Sequence, residues 1–196
     1  MSSVKKLSTF LAYVLRHSPE SIELEMDERG WVSTSELIKK INNNSKYSIT
    51  ADELETLVKE DEKGRYRYNE NKTKIKACQG HSIPYVKPEM EYKEPPEYLY
   101  HGTTQDAFEK IKKSGFISKM TRHAVHMQED YTKAWQSATR RRNATPVLLK
   151  INAKKMYEEG YVFGCTDNNV WCTDRVPYEY IIDKFYGEKE EDKSCL

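Results

Sequence analysis

No stretch of this 196-residue chain is long and apolar enough to span a bilayer, which takes about 18 uninterrupted apolar residues. The first residues include two lysines, but apolar positions alternate with polar ones and no small-residue cleavage site follows, so they do not read as a secretory signal. Charge of one sign is also missing. Lys+Arg number 32 against 31 Asp+Glu, a formal net charge of +1, which excludes a histone-like polycation and leaves local basic patches open. Cysteine is sparse: Cys78, Cys165, Cys172 and Cys195 show no paired spacing of the metal-site kind, and a chain of this size is no disulfide scaffold. Reduced thiols and a cytoplasmic location, or a nuclear one in a eukaryote, are expected. Cys195 is wrongly placed for a prenylation signal. Walker loop, dinucleotide glycine fingerprint, paired zinc ligands and serine nucleophile elbow are all absent, so no metal is expected. Gly and Pro are modest at 8 and 7, with no internal repeat and no low-complexity segment. The length suits one ordinary domain or two small ones with limited cores.

The apolar residues that are present fall into clear periods. Leu7, Phe10, Leu11, Val14 and Leu15 share one face of a helix ending at Arg16. Asp27 to Gly30 read as a turn and Trp31-Val32 as a short strand. Ser33 with Glu36, and Thr50 with Glu53, have capping-box spacing and open helices through Leu37 and Ile41 and through Leu54, Leu57 and Val58. Asn43-Asn44-Ser45 end the first of these. Tyr66 to Tyr68 and Thr73 to Ala77 read as a hairpin around Glu70-Asn71-Lys72. Helix, short strand, helix, helix, hairpin is the order of a winged helix. Lys63, Arg65, Arg67, Lys72, Lys74 and Lys76 gather on or beside that hairpin, interleaved with tyrosines. They suit phosphates and exposed bases. They also suit a solvated edge guarded by lysines, which the charges alone favour.

From about Ile83 to Glu97, four prolines among charges read as a linker. Tyr98-Leu99-Tyr100 then form a strand running into His101-Gly102-Thr103, followed by a helix through Ala107, Phe108 and Ile111 that stops at Ser114-Gly115. Val125 to Met127, Val147 to Ile151, Tyr161 to Phe163, Val170 to Cys172 and Tyr180 to Ile182 read as strands, and Tyr131 to Arg142 as a helix with a basic end. Short strands with a few helices make this half α+β. Glu188 to Lys193 read as a charged tail.

Candidate chemistry lies at element ends. Arg16-His17 closes the first helix, where a guanidinium and a titrating imidazole fit an anion and a basic C-cap equally well. Gln79-Gly80-His81-Ser82 follows the second hairpin strand; a polar turn accounts for it, and so does a phosphate or sugar contact. His101-Gly102-Thr103 precedes a helix start, where anions are favoured and a histidine suits a ribose hydroxyl. Arg122 and His126 bracket a short strand, and Arg140-Arg141-Arg142 taken alone would be a solvated helix end. Folded together, these pieces would place strong positive potential near a Gly/His-rich site, suited to a ligand with several phosphates.

These pieces, in this order, resemble the RNA 2′-phosphotransferase family. The matching stretches are Leu7-Ser8 through Leu15-Arg16-His17, Gly30-Trp31-Val32, Ala77-Cys78-Gln79-Gly80-His81-Ser82, Tyr100-His101-Gly102-Thr103, Arg122 to His126 and Asn168 to Thr173. The resemblance implies two lobes: a winged-helix RNA-binding lobe over 1–92 and an ADP-ribosyltransferase-like, NAD-binding lobe over 93–196. Nothing in the chain resembles a dimerisation helix, and a monomer is expected. The resemblance also implies an enzyme that transfers the 2′-phosphate of RNA, a tRNA splice junction above all, to NAD. The products are 2′-hydroxyl RNA, nicotinamide and ADP-ribose 1″,2″-cyclic phosphate. Carried over residue by residue, Arg16, His17, Lys76 and Arg140 would be catalytic, with Arg142 the alternative to Arg140. His101, Gly102, Thr103, Arg122, His126, Asn168 and Val170 would bear on NAD, and Gln79, His81 and Ser82 on the RNA phosphate. Two departures stand out: Lys76 replaces the family's arginine, losing its bidentate fork, and Gln128 replaces a serine. Lys76 implies a slower second step or a different geometry, and the two departures together imply a weak or re-tuned enzyme that keeps its anion site. Other readings of the chain are an ADP-ribosyltransferase that caps nucleic-acid phosphates, and a non-catalytic RNA-binding module.

Overall fold

A computed structural model describes residues 3–140 and 144–187. The chain divides into two compact units, Met1–Glu89 and Met90–Leu196. In the first, α1 (Ser3–Arg16) is followed by a 3-10 turn at Pro19–Ile22, β1 (Trp31–Ser33), α2 (Thr34–Asn44), α3 (Ala51–Lys59), β2 (Tyr66–Tyr68) and β3 (Lys74–Ala77). The strands form an antiparallel sheet in the order β1-β3-β2, with Val32 opposite Ile75 and Arg67 opposite Lys76. Leu11, Val14 and Leu15 of α1, Leu37 and Ile41 of α2 and Leu54 of α3 bury their apolar stripes against Ile75. Both expected helix starts hold, by different means. Thr50 and Glu53 make the full reciprocal box, whereas Ser33 accepts from the Glu36 N–H while the Glu36 carboxylate turns to Lys39. Such caps are each worth about 1 kcal/mol.

The second unit contains β4 (Glu91–Tyr92), β5 (Tyr98–Thr104), α4 (Gln105–Ser114), β6 (Phe116–Ser118), β7 (Val125–Gln128), α5 (Tyr131–Ala138), β8 (Pro146–Asn152) and α6 (Ala153–Glu158). It continues with β9 (Gly164–Cys165), β10 (Val170–Thr173), β11 (Arg175–Pro177), a 3-10 turn at Tyr178–Tyr180 and β12 (Ile181–Tyr186). A seven-stranded antiparallel sheet runs β12-β8-β5-β7-β10-β9-β4, and β6 pairs with β11 apart from it. Leu99, Met127, Leu149, Ile151 and Trp171 from this sheet close on Phe108 of α4. The protein is α+β.

Several sequence expectations fail here for identifiable reasons. The helix expected over Tyr131 to Arg142 ends at Ala138. Ala134 and Ala138 are its buried positions, and Thr139 and Arg140 beyond them are polar and form a turn; Arg141 and Arg142 lie outside the described residues. Tyr161 to Phe163 are not a strand: Tyr161 caps the end of α6 through its N–H to Met156 at 3.0 Å, and Val162 is 64% exposed. Tyr180 closes a 3-10 turn rather than opening β12. The stretch read as a linker contributes β4, whose Glu91 and Tyr92 pair with Cys165 and Gly164. The charged tail from Glu188 lies outside the described residues.

One contact fixes how α5 sits on the sheet. Gly102 in β5 faces the α5 backbone directly: a Cβ there would stand 2.7 Å from the Ala138 nitrogen and closer still to the Ala134 carbonyl. Only a residue without a side chain lets helix and strand approach this closely. Gly102→Ala is therefore expected to lower stability by about 2 kcal/mol, the usual cost of overpacking against backbone, read as a lower urea midpoint; an unchanged midpoint would contradict this packing.

Candidate active site

In the N-terminal unit, α1 stops because Ser18, at φ −152° and ψ 65°, leaves the helical region ahead of Pro19. The N–H groups of His17 and Ser18 close the last turn onto the Tyr13 carbonyl at 2.9 and 3.2 Å. The Arg16 carbonyl accepts from the Ser82 N–H at 2.9 Å, and His17 Nδ1 lies 2.9 Å from Ser82 Oγ. The segment after β3 is thus stitched to the end of α1 by backbone and side chain together. Gly80 lies along the Arg16 side chain, a Cβ there being 3.7 Å from its Cδ, Nε and Cζ. His81 is buried, 1% exposed, with its ring over Gly30. Gly30 has φ +82°, and a Cβ would come within 2.9 Å of His81 Nε2, so the residue before Trp31 must be glycine for turn and imidazole alike. Arg16 and Gln79 are half-buried, and His17 is exposed.

Lys76 is held differently. It is 3% exposed; its Nζ stands 2.7 Å from Glu89 Oε2 and 4.8 Å from the centre of the Trp31 ring. Glu89 also accepts from Arg29 at 3.3 Å. The ammonium is therefore clamped between an aromatic face and a carboxylate. Other hairpin cations are paired as well: Lys72 with Glu55 at 2.5 Å, Lys74 with Asp27 at 3.8 Å, and Arg65 with Asp61.

In the C-terminal unit the ladder between β5 and β7 consists of one residue pair, Tyr100 with Gln128. Beyond it β5 continues alongside β8 to Thr104, and β7 alongside β10 to Val125, so the sheet parts between the two strands. His101 sits at the parting, its Nδ1 3.0 Å from the His126 carbonyl oxygen. A carbonyl only accepts, so Nδ1 carries the proton and Nε2 keeps its lone pair. Burial holds the His101 imidazole below its ordinary pKa and the Arg122 charge pushes it further down, against the opposing pull of the His126 carbonyl. The ring is neutral at pH 7. The His126 and Val170 side chains alternate with core residues Met127 and Trp171, so they face the side of the sheet opposite the main core. Val170 clusters there with Ala124 and Cys172. Thr166 staples the β9–β10 turn, accepting from the Val170 N–H at 3.1 Å and donating to Asn168 Oδ1 at 2.8 Å. Thr103 pairs with Val147 inside the sheet, and the helix start expected beside it begins one residue on, capped by Thr104 with Asp106 in its first turn. Arg140 is exposed beyond α5, its Nε 3.5 Å from the Ser137 carbonyl. Arg142 lies outside the described residues. Among the described residues no cluster of His, Cys, Asp and Glu could hold a metal, and no helix is long and apolar enough to cross a membrane.

Residues 2–175 match the family described as RNA 2′-phosphotransferase, Tpt1 / KptA family. The chain belongs to this family. A probable RNA 2′-phosphotransferase of Flavobacterium johnsoniae is 44% identical over 177 residues, 90% of this chain and 94% of the relative. One from Fusobacterium nucleatum is 44% identical over 181 residues, covering 92% and 99%, and one from Nostoc punctiforme is 40% identical over 180 residues, covering 92% and 97%. As an RNA 2′-phosphotransferase family member the protein is an enzyme, a transferase.

Within this RNA 2′-phosphotransferase, Arg16, His17, Gly80 and Ser82 meet in one corner, and His101 and His126 meet at the parted sheet. Three contributors escape the sequence reading. Glu89, which clamps Lys76, carries no signal, being one acid among several in a proline-rich stretch. Gly30 reads only as a turn residue. Tyr13 has a signal, its spacing of three and four residues before Arg16 and His17.

Neutral His101 has a pH consequence. The unfolded chain takes up the imidazole proton near pH 6.5, the ordinary value, and the folded chain only at lower pH. Unfolding is therefore favoured as pH falls through and below that value, and above it the contribution is constant. Urea unfolding at pH 7.5 and 5.5 should show the wild type losing more stability on acidification than His101→Asn; equal losses would remove the buried neutral imidazole.

Proposed function

We propose that the protein removes the 2′-phosphate of RNA, a tRNA splice junction being the favoured substrate, by transferring it to NAD as a consumed co-substrate. The observation that carries this reading is the Arg16–His17 corner locked to Ser82: a guanidinium and an imidazole at one helix end, held by a segment 65 residues away. Such a pair suits a dianionic phosphomonoester, with two charge-assisted donors fixed before the ligand arrives. The helix–strand–helix–helix–hairpin order with its β1-β3-β2 sheet supports reading the N-terminal part, taken as 1–92, as a winged helix that holds the RNA. The C-terminal part, 93–196, is read as an ADP-ribosyltransferase-like lobe.

The C-terminal residues fit a dinucleotide. His101 Nε2 is an acceptor for a ribose hydroxyl, Arg122 offers a cation to a pyrophosphate, and Val170 offers an apolar wall. Thr103, His126 and Asn168 line the same reading. In the first step a 2′-phosphate oxygen forms a bond to the anomeric carbon of the nicotinamide ribose, and the bond to nicotinamide breaks with its electron pair. The phosphate is already anionic and the leaving group good, so the protein's contribution is positioning. In the second step the ribose 2″-hydroxyl attacks the same phosphorus and the RNA 2′-oxygen leaves, taking the proton. Negative charge grows on phosphorus, so Arg16, His17 and Arg140 stabilise this step most, assisted by Gln79 and His81 on the phosphate.

A second reading rests on Lys76. An ammonium committed to Glu89 and Trp31 lacks the fork of an arginine, which favours an enzyme whose second step is slow and which leaves ADP-ribose on the RNA. One assay decides among these readings. Protein incubated with NAD and a 2′-phosphorylated oligonucleotide should yield nicotinamide and the cyclic phosphate by mass spectrometry, and neither product at high enzyme concentration would reject the proposal. Arg140→Ala should accumulate ADP-ribosylated RNA phosphate, losing about 100-fold or more in the second step, the scale for removing a transition-state donor. Unchanged turnover would remove Arg140 from the site.

A further inference from the structure

The residue most poised beside the anion corner and unused by the mechanism is Tyr13. It sits in the last full turn of α1, three residues before Arg16 and four before His17, the two spacings that make helix side chains neighbours. Arg16 is the last residue of the helix and His17 follows it directly, so both leave the chain within one turn of Tyr13. The Tyr13 and His17 ring centres are 6.3 Å apart and tilted by 44°. Tyr13 has no core duty. It is 48% exposed and stands outside the buried cluster that α1 feeds, whereas Phe10, one turn earlier, packs on Tyr47 with ring centres 4.7 Å apart. Its backbone is fixed, because its carbonyl accepts from both His17 and Ser82's neighbour in the corner, Ser18. A rigidly mounted, half-exposed aromatic face thus flanks the site where a phosphate would be held.

We propose that Tyr13 is a nucleobase platform, stacking on the base of the nucleotide whose 2′-phosphate occupies the Arg16–His17 corner. The proposal rests on the reading of that corner as the RNA phosphate site. The connectivity of the ligand supports it: the base hangs from C1′, the carbon next to the phosphorylated C2′, so a phosphate in the corner brings its own base alongside. Every base presents a π-face, so the contact secures RNA without choosing a sequence. It separates a 2′-phosphorylated nucleotide from inorganic phosphate or a sugar phosphate, which satisfy Arg16 and His17 alone. Tyr13 acts on binding and orientation and takes no part in bond making.

The test uses binding without NAD, so it stands apart from turnover. Two fluorescent oligonucleotides carry an internal 2′-phosphate, one with the base at that nucleotide and one with an abasic ribose. By anisotropy the wild-type protein should bind the base-bearing probe about tenfold more tightly than the abasic one, the scale of one base–aromatic stack. Tyr13→Ala should weaken the base-bearing probe to the level of the abasic probe while leaving the abasic probe unchanged, and Tyr13→Phe should restore the difference. A wild type that binds both probes equally would overturn the proposal. So would a Tyr13→Ala protein that keeps the tenfold preference, or one that weakens both probes alike, which marks a structural role. If instead the wild type prefers the base but yields no nicotinamide with NAD, the platform stands and the assigned reaction fails.

Discussion

A helix ends with carbonyls that have no partner inside it, and what satisfies them decides what the helix end becomes. At α1 the Arg16 carbonyl is met by the Ser82 N–H from a segment distant in sequence, and His17 by the Ser82 hydroxyl. Everything in the N-terminal corner depends on that junction. It orients the imidazole, holds Gly80 along the Arg16 side chain and brings the His81 ring against the Gly30 turn. The geometry comes from rigid parts: a helix packed by Leu11, Val14 and Leu15, and a strand, β3, central in its sheet. On the proposed reading, an anion there would meet a His17 ring already oriented by folding, which is the condition for directional charge-assisted bonds to yield affinity.

The C-terminal unit reaches preorganisation by another route. Its sheet parts where β5 and β7 stop pairing, and a parted sheet exposes backbone edges that must find partners. His101 fills part of that gap with its ring, donating from Nδ1 to the His126 carbonyl, and is thereby fixed in one tautomer. The same bond that closes the sheet therefore sets the chemistry of the free ring nitrogen. Gly102 follows in β5 and lets α5 lie directly on the strand, so the position after the histidine serves packing. A triplet that reads as a ligand motif in sequence divides in the structure into an orienting histidine, a packing glycine and a paired threonine.

What was legible in the sequence follows the size of the packing units. α1, α2 and α3 announce themselves because each carries a buried apolar stripe and, in two cases, a capping serine or threonine. α6 does not, having six residues and two buried positions, Ala153 and Met156, in a run of Lys and Glu too short for periodicity. Tyr161 to Phe163 mislead for the opposite reason: apolar residues there anchor a loop, Phe163 in the core and Tyr161 edge-on to Tyr180. In the corner, Arg16-His17 and Gln-Gly-His-Ser are each ambiguous alone, and only a resemblance to a family joins pieces so far apart. The clamp on Lys76 was illegible because its partner, Glu89, lies in a stretch whose prolines and charges spell linker.

The hairpin shows how sequence charge and structural charge diverge. Its basic residues suit a phosphate-tracking stripe as well as the solvated edge that the charges favour, and Lys72, Lys74, Lys76 and Arg65 each have a carboxylate at hand from Glu55, Asp27, Glu89 and Asp61. A pair of opposite charges a few ångströms apart projects little field beyond a Debye length of about 8 Å at physiological salt. With a net charge of +1, the chain offers RNA no strong long-range attraction overall. Selectivity must then come from short-range, directional contacts. On the proposed reading the end of α1 would provide them, since the Arg16 guanidinium, the oriented His17 ring and the Tyr13 face differ in chemistry but lie within five residues of one another. A phosphate alone would engage part of this set, and a phosphorylated nucleotide all of it.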